Sequence, residues 1–117
     1  MREGLILVGH GSRDPEWSRP FESLAAALEK KLPAHAIVLA YLEHGPSIEE
    51  ALAALVAKGV GSVRVVPLFL GAGGHVKLDI PRLVAAAHPA VPVTIDQPIG
   101  DQAALIEAIA EGIASPR

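Results

Sequence analysis

The chain has 117 residues, half of them hydrophobic and 20% charged. That balance excludes a charge-extended disordered polymer and fits one domain with one core. The formal net charge of −3 lacks the basic surplus of a nucleic-acid-binding domain, and the absence of cysteine excludes disulfides, thiolate metal sites and a cysteine nucleophile.

With aromatics at only 3%, the core is expected to be built from Val, Ile, Leu and Ala. The continuous apolar run GLILVG at 4–9 predicts a strand buried on both faces. Trp17, Phe21, Leu24, Leu28 and Leu32 then recur at helical spacing, and Pro33 ends that helix. Residues 36–42 form a second apolar run. Ser47-Ile48-Glu49-Glu50, just after Pro46, is a capping-box pattern. Ile48, Leu52, Leu55 and Val56 make the next helical stripe, with Gly59 as its stop.

Residues 62–70 hold a third strand, expected to end near Pro67, because proline cannot donate to a central ladder. Val76, Ile80, Leu83, Val84 and Ala87 predict a third helix, with Pro81 tolerated only near its first turn. Residues 91–95 form a fourth, shorter strand. Asp101 is expected to cap a last helix whose stripe is Leu105, Ile109 and Ile113.

Four strands alternating with four helices imply an α/β fold over residues 1–117. The expectation is a single flavodoxin-like or Rossmann-like three-layer domain with a parallel sheet and right-handed crossovers. The strand order is expected to be 2-1-3-4, so strands 1 and 3 flank the topological switch point. Ligands of such sheets bind there, outside the carboxyl ends of the strands. The N-terminal apolar run is too short for a signal peptide. No run approaches the ~18 apolar residues of a membrane helix. A soluble, cytoplasmic protein with no membrane partner is the expectation.

The strand-1 exit reads Val8-Gly9-His10-Gly11-Ser12-Arg13, and the strand-3 exit reads Leu70-Gly71-Ala72-Gly73-Gly74-His75. Each delivers a glycine-flanked histidine to the predicted switch point. Glycines there let the backbone turn sharply and let a ligand approach closely. Imidazole is a borderline ligand for cobalt, nickel and iron, is largely neutral near pH 7, and can accept a proton. His44, beside Glu43 after strand 2, is a weaker candidate; His35 and His88, near prolines at helix ends, read as surface residues. Neither glycine loop continues as a P-loop or as GxGxxG, and Ser12 does not lie in a GxSxG elbow. A histidine phosphatase would place an arginine where Gly9 stands, leaving Arg13 to substitute.

Taken together, Val-Gly-His-Gly-Ser-Arg at 8–13, Val-Val-Pro-Leu-Phe-Leu at 65–70, Gly-Gly-His-Val-Lys-Leu-Asp-Ile-Pro at 73–81 and Pro98-Ile99-Gly100 resemble the short-form sirohydrochlorin chelatases. The similarity covers nearly the whole chain. It implies a class II chelatase that needs no ATP and no permanently bound cofactor. Such an enzyme inserts Co2+, Fe2+ or Ni2+, its substrate, into sirohydrochlorin on the routes to cobalamin, siroheme or a nickel cofactor. It also implies a homodimer. By the same resemblance His10 and His75 bind the metal and take the pyrrole protons, and Leu70, Gly71, Ala72, Gly73 and Gly74 contact the macrocycle.

One position departs from the pattern. Relatives often carry an acid immediately before the Pro-Ser that opens helix 2, and here that residue is Gly45; Glu43 is the candidate replacement. Arg13, Lys77 and Arg82 are candidates to meet the substrate's carboxylates. Two other functions use the same histidines: a metal or tetrapyrrole carrier without turnover, and a phosphoryl-transfer enzyme acting through His10.

Overall fold

A computed structural model describes residues 2–71 and 73–116, and of His75 the backbone alone. Strand β1, Glu3–Gly9, is buried at every position from Gly4 to Gly9. The reason is its central place. It pairs in parallel with β2 (Ala36–Tyr41) on one side and β3 (Ser62–Pro67) on the other, and β4 (Val93–Ile95) pairs in parallel with β3. The order is β2-β1-β3-β4, as expected from the sequence. Val8 stands opposite Ala40 and Pro67 in the register. Pro67 costs the ladder little, because it closes the strand and Leu68 N–H resumes donation to the Val8 carbonyl at 2.8 Å. β4 is shorter than the 91–95 run; Val91 packs on the core from outside the ladder.

Helices cover both faces, unequally. On one face α2 (Ile48–Ala57) and α3 (Gly74–Ala86) seal a core of Ile6, Val8, Ala40, Val63 and Val65 with Ile48, Leu52, Leu55, Ile80 and Val84. Each such aliphatic side chain contributes roughly 1.5–3 kcal/mol on burial. On the other face lie α1 (Arg19–Lys31) and α4 (Ala103–Ala114). Among the described residues there, the buried core is Leu5, Leu7 and Val66, and neither helix buries a residue. An apolar groove of about 290 Å³ runs between these two helices, walled by Leu24, Leu28, Leu105 and Ile109.

The capping box on α2 forms as read: the Ser47 hydroxyl accepts the Glu50 N–H, and the Glu50 carboxylate accepts the Ser47 N–H. Three helix expectations need correcting. Trp17 does not belong to α1. It lies in a separate 3-10 turn, Pro15–Ser18, opened by the Asp14 carboxylate on the Glu16 N–H. Pro20 has no N–H for a helix begun at 17, so the helix restarts around it and Pro20 sits in the first turn of α1.

Pro81 is not confined to a first turn; α3 runs through it. The Lys77 carbonyl loses its helical donor there, but Pro81 and Lys77 are both exposed, and Ile80 and Val84 hold the helix to the sheet from either side. Asp101 does not cap α4. Gln102 takes the N-cap position without a capping bond from its side chain, and Asp101 closes a 3-10 turn, Ile99–Asp101. Among the described residues no helix is long and apolar enough to cross a membrane.

Candidate functional site

The carboxyl ends of β1, β2 and β3 lie side by side, and the β1–β2 ladder does not stop with the strands. Leu42 N–H donates to the Gly9 carbonyl at 3.1 Å, and Glu43 N–H donates to the His10 carbonyl at 2.9 Å. These two bonds carry Glu43 onto His10. The side chains meet with His10 Nε2 at 3.2 Å from Glu43 Oε2 while remaining 52% and 66% exposed. A pair so open to water adds little to stability. Its chemical consequence is larger: a carboxylate on Nε2 fixes the ring orientation, favours the proton on that nitrogen and leaves the Nδ1 lone pair for a metal or a proton.

Gly11 explains how the loop turns back after His10. Its φ is +105°, and a Cβ there would lie 3.1 Å from His44 N and from Tyr41 Cβ. Both the conformation and the close approach require glycine. Ser12 is occupied as a turn residue, its hydroxyl accepting the Asp14 N–H at 3.1 Å. Behind the loop, Trp17 packs on Phe21 with ring centroids 4.6 Å apart, and both rings approach Tyr41 edge-on. Burial, assisted by the charge of Glu22, pushes the Tyr41 hydroxyl above its ordinary pKa. Gly45, where an acid was expected, is exposed; the nearby Glu50 is committed to its capping box.

On the β3 side the chain leaves the ladder at Leu68. Phe69 packs on the α2–α3 core, and Leu70 projects outward, 61% exposed. Ala72 lies outside the described residues. Gly73 is the N-cap of α3 without a side-chain bond, and the backbone of His75 occupies the first turn of that helix. Its side chain is outside the description. A Cβ built on Gly71, Gly73 or Gly74 would meet nothing within 4 Å.

Of the three candidate cations, Lys77 is engaged with Asp101 at 3.3 Å, while Arg13 and Arg82 are exposed. Arg64 on β3 clasps Asp96 with both nitrogens of its edge at 2.7–3.1 Å, and those bonds hold the guanidinium above its ordinary pKa. Among the described residues no group of three or more His, Asp or Glu side chains is placed to hold a metal ion.

Sequence reasoning singled out His10, Glu43 and the 70–75 loop but missed the aromatic packing behind Gly9 and the place of Gly100. Its signal was visible in Pro98-Ile99-Gly100; its contact was not. Gly100 N–H donates to the Phe69 carbonyl at 3.0 Å, so the turn after β4 lies directly on the loop after β3.

Similarity to known proteins agrees with this arrangement. The profile of the CbiX family matches residues 4–115. A sirohydrochlorin cobaltochelatase of Methanococcoides burtonii is 31% identical, with 92% of each chain covered. One from Sulfolobus acidocaldarius is 33% identical over 92% of this chain and 87% of that protein. Among solved structures, a CbiX protein from Marinobacter aquaeolei VT8 superposes with a TM-score of 0.81 at 33% identity, covering 97% of this chain and 93% of that one. The sirohydrochlorin chelatase SirB from Bacillus subtilis subspecies spizizenii, in complex with cobalt, gives 0.79 at 28% identity; this chain is 97% covered and spans 50% of SirB. The chain is thus a member of the CbiX family.

Proposed function

We propose that this chain inserts a divalent metal ion, Co2+ or Fe2+, into sirohydrochlorin without ATP, as a single chelatase-like domain over 1–117. The observation that carries the proposal is His10, held against Glu43 on the carboxyl edge of the sheet beside the glycine loop that leads into α3. The names of the relatives, sirohydrochlorin cobaltochelatase and sirohydrochlorin chelatase, supply the substrate. A cobalt complex and an Fe3+ complex of SirB support the choice of metals.

Metal insertion exchanges two pyrrole N–H protons for one M2+ ion. In the proposed mechanism His10 and His75 are the metal ligands and proton acceptors. With Glu43 on Nε2, His10 offers Nδ1. It first shares the incoming ion and then, once the ion has passed to the macrocycle, accepts a pyrrole proton. The resulting imidazolium is stabilised by Glu43, which takes over the role of the acid missing at Gly45. Two imidazoles hold the metal less firmly than a closed thiolate cage, as transfer requires. In this proposal the ring is contacted from the 70–74 segment, and Arg13 and Arg82 meet its carboxylates. The metal is substrate, and no cofactor stays bound.

A tetrapyrrole is about as wide as this sheet top, and burial of most of a ligand's surface is the norm. The open setting of His10 and Glu43 therefore supports a two-fold homodimer with facing sites. Scattering that reports a monomer with sirohydrochlorin present defeats the dimer. For the activity, sirohydrochlorin is mixed with Co2+, Fe2+ or Ni2+ and the absorbance change is followed. Wild type is expected to exceed the uncatalysed rate, and His10→Ala to lose about 100-fold or more. Tight binding with a rate equal to background for all three metals replaces the chelatase by a carrier.

A further inference from the structure

We infer that Gly100 and Asp101, in the turn after β4, are positioning residues for metal insertion: they hold the two ends of the Leu70–His75 loop. The inference rests on the proposed role of that loop. At its start, Gly100 N–H bonds to the Phe69 carbonyl, and the Gly100 Cα lies so close that a Cβ would overlap the Leu70 carbonyl oxygen and stand 2.8 Å from Leu70 Cα. Gly100 has no left-handed φ to account for it. The glycine is demanded by proximity to the loop backbone alone. At the loop's far end, Asp101 Oδ2 pairs with Lys77 Nζ at 3.3 Å. Lys77 lies two residues after His75, and its N–H closes the first turn of α3 on the Gly73 carbonyl.

The turn that makes both contacts is itself anchored. Ile99 packs on the Leu5, Leu7 and Val66 core, and Gln102 Nε2 donates to the Gln97 carbonyl at 2.7 Å. Asp96, just upstream, is clasped by Arg64 and bonds through its N–H to the Val65 carbonyl. Between its ends the loop has open space around Gly71, Gly73 and Gly74. Among the described residues, the contacts made to the loop by the turn after β4 are those at its two ends. A methyl at 100 meets the Leu70 backbone, so the loop and the turn must move apart there, and a displacement near 1 Å in a reacting constellation costs up to about 100-fold in rate. The Lys77–Asp101 pair is half exposed, so its loss should matter less.

The test uses the full chain. Gly100→Ala is expected to lower kcat for Co2+ insertion about 10- to 100-fold with a smaller change in KM. Amide exchange should rise in 69–76 and stay unchanged in β1, β2 and β3. Asp101→Asn should lose a few-fold and Asp101→Glu should recover it. Gly112→Ala, in open space on α4, serves as the control and should match wild type. Wild-type kcat and wild-type exchange in Gly100→Ala overturn the inference. So does exchange raised across all strands, which marks general destabilisation. Should Gly100→Ala not fold, the Asp101 pair decides, and equal activity of wild type, Asp101→Asn and Asp101→Glu overturns it. A wild type without metal insertion whose Gly100→Ala variant still loosens 69–76 defeats the chelatase reading and leaves the clamp standing.

Discussion

Both proposed working histidines follow glycines, yet the two exits use glycine for opposite reasons. After β1, the protein's own packing demands it: Gly11 is left-handed and pressed against the β2 exit, and a Cβ on Gly9 would touch the Phe21 and Tyr41 rings at 3.3 Å. After β3, nothing inside the described protein demands glycine at 71, 73 or 74. One exit is a rigid mount made by contacts between strands. The other is an open wall, where a side chain would have room. In the proposed function, the first exit holds the metal ligand and the second leaves space for a broad flat ring.

The contrast is sharpened most by Glu43→Gln, which keeps the shape of the mount but removes its charge. A loss of about 10- to 100-fold in metal-insertion rate is expected, with thermal stability unchanged, because such supporting partners act through the ligand they orient. An unchanged rate would leave Glu43 as a surface residue. Gly11→Ala attacks the mount's geometry. Holding alanine at that φ costs about 1–3 kcal/mol, readable as a lower urea midpoint, and the rate should fall with it.

Gly71→Ala and Gly74→Ala probe the open wall. Stability should hold, or rise by about 0.5–1 kcal/mol at Gly74 inside α3, while KM for sirohydrochlorin rises several-fold. Destabilisation at either position would erase the distinction between the two exits. Tyr41→Phe gives the smallest effect. The folded Tyr41 keeps its proton above the ordinary value of 10.0, where the unfolded chain has lost its own, so stability falls as pH rises past that value. The phenylalanine variant should show a shallower alkaline loss in thermal melts.

How much of this was legible beforehand depends on how local the cause is. The continuous apolar run at 4–9 announced a doubly covered strand, and Ser47 with Glu50 announced the start of α2, because both signals are read within a few residues. Alternation announced a parallel sheet; the order 2-1-3-4 was the flavodoxin-like expectation, and the sheet has it. The Glu43–His10 contact was harder to see. It depends on the β1–β2 ladder continuing through Leu42 and Glu43, which is a property of the pairing and not of either segment. Asp101 looked like a helix cap on local rules, but α3 offered Lys77 from across the fold. Pro81 was expected only near a first turn, and the burial of Ile80 and Val84 carries the helix through it.

The ring packing behind the β1 exit has a practical consequence. Trp17 is the chain's one indole, and through Phe21 and Tyr41 it borders Gly9, the residue before His10. Any emission from tryptophan therefore comes from a single point beside the proposed reaction centre. A tetrapyrrole arriving there absorbs where indole emits, and a bound transition metal offers a second route to quenching. Titrating either substrate alone against the light of one side chain thus reads its occupancy, in real time and without a label.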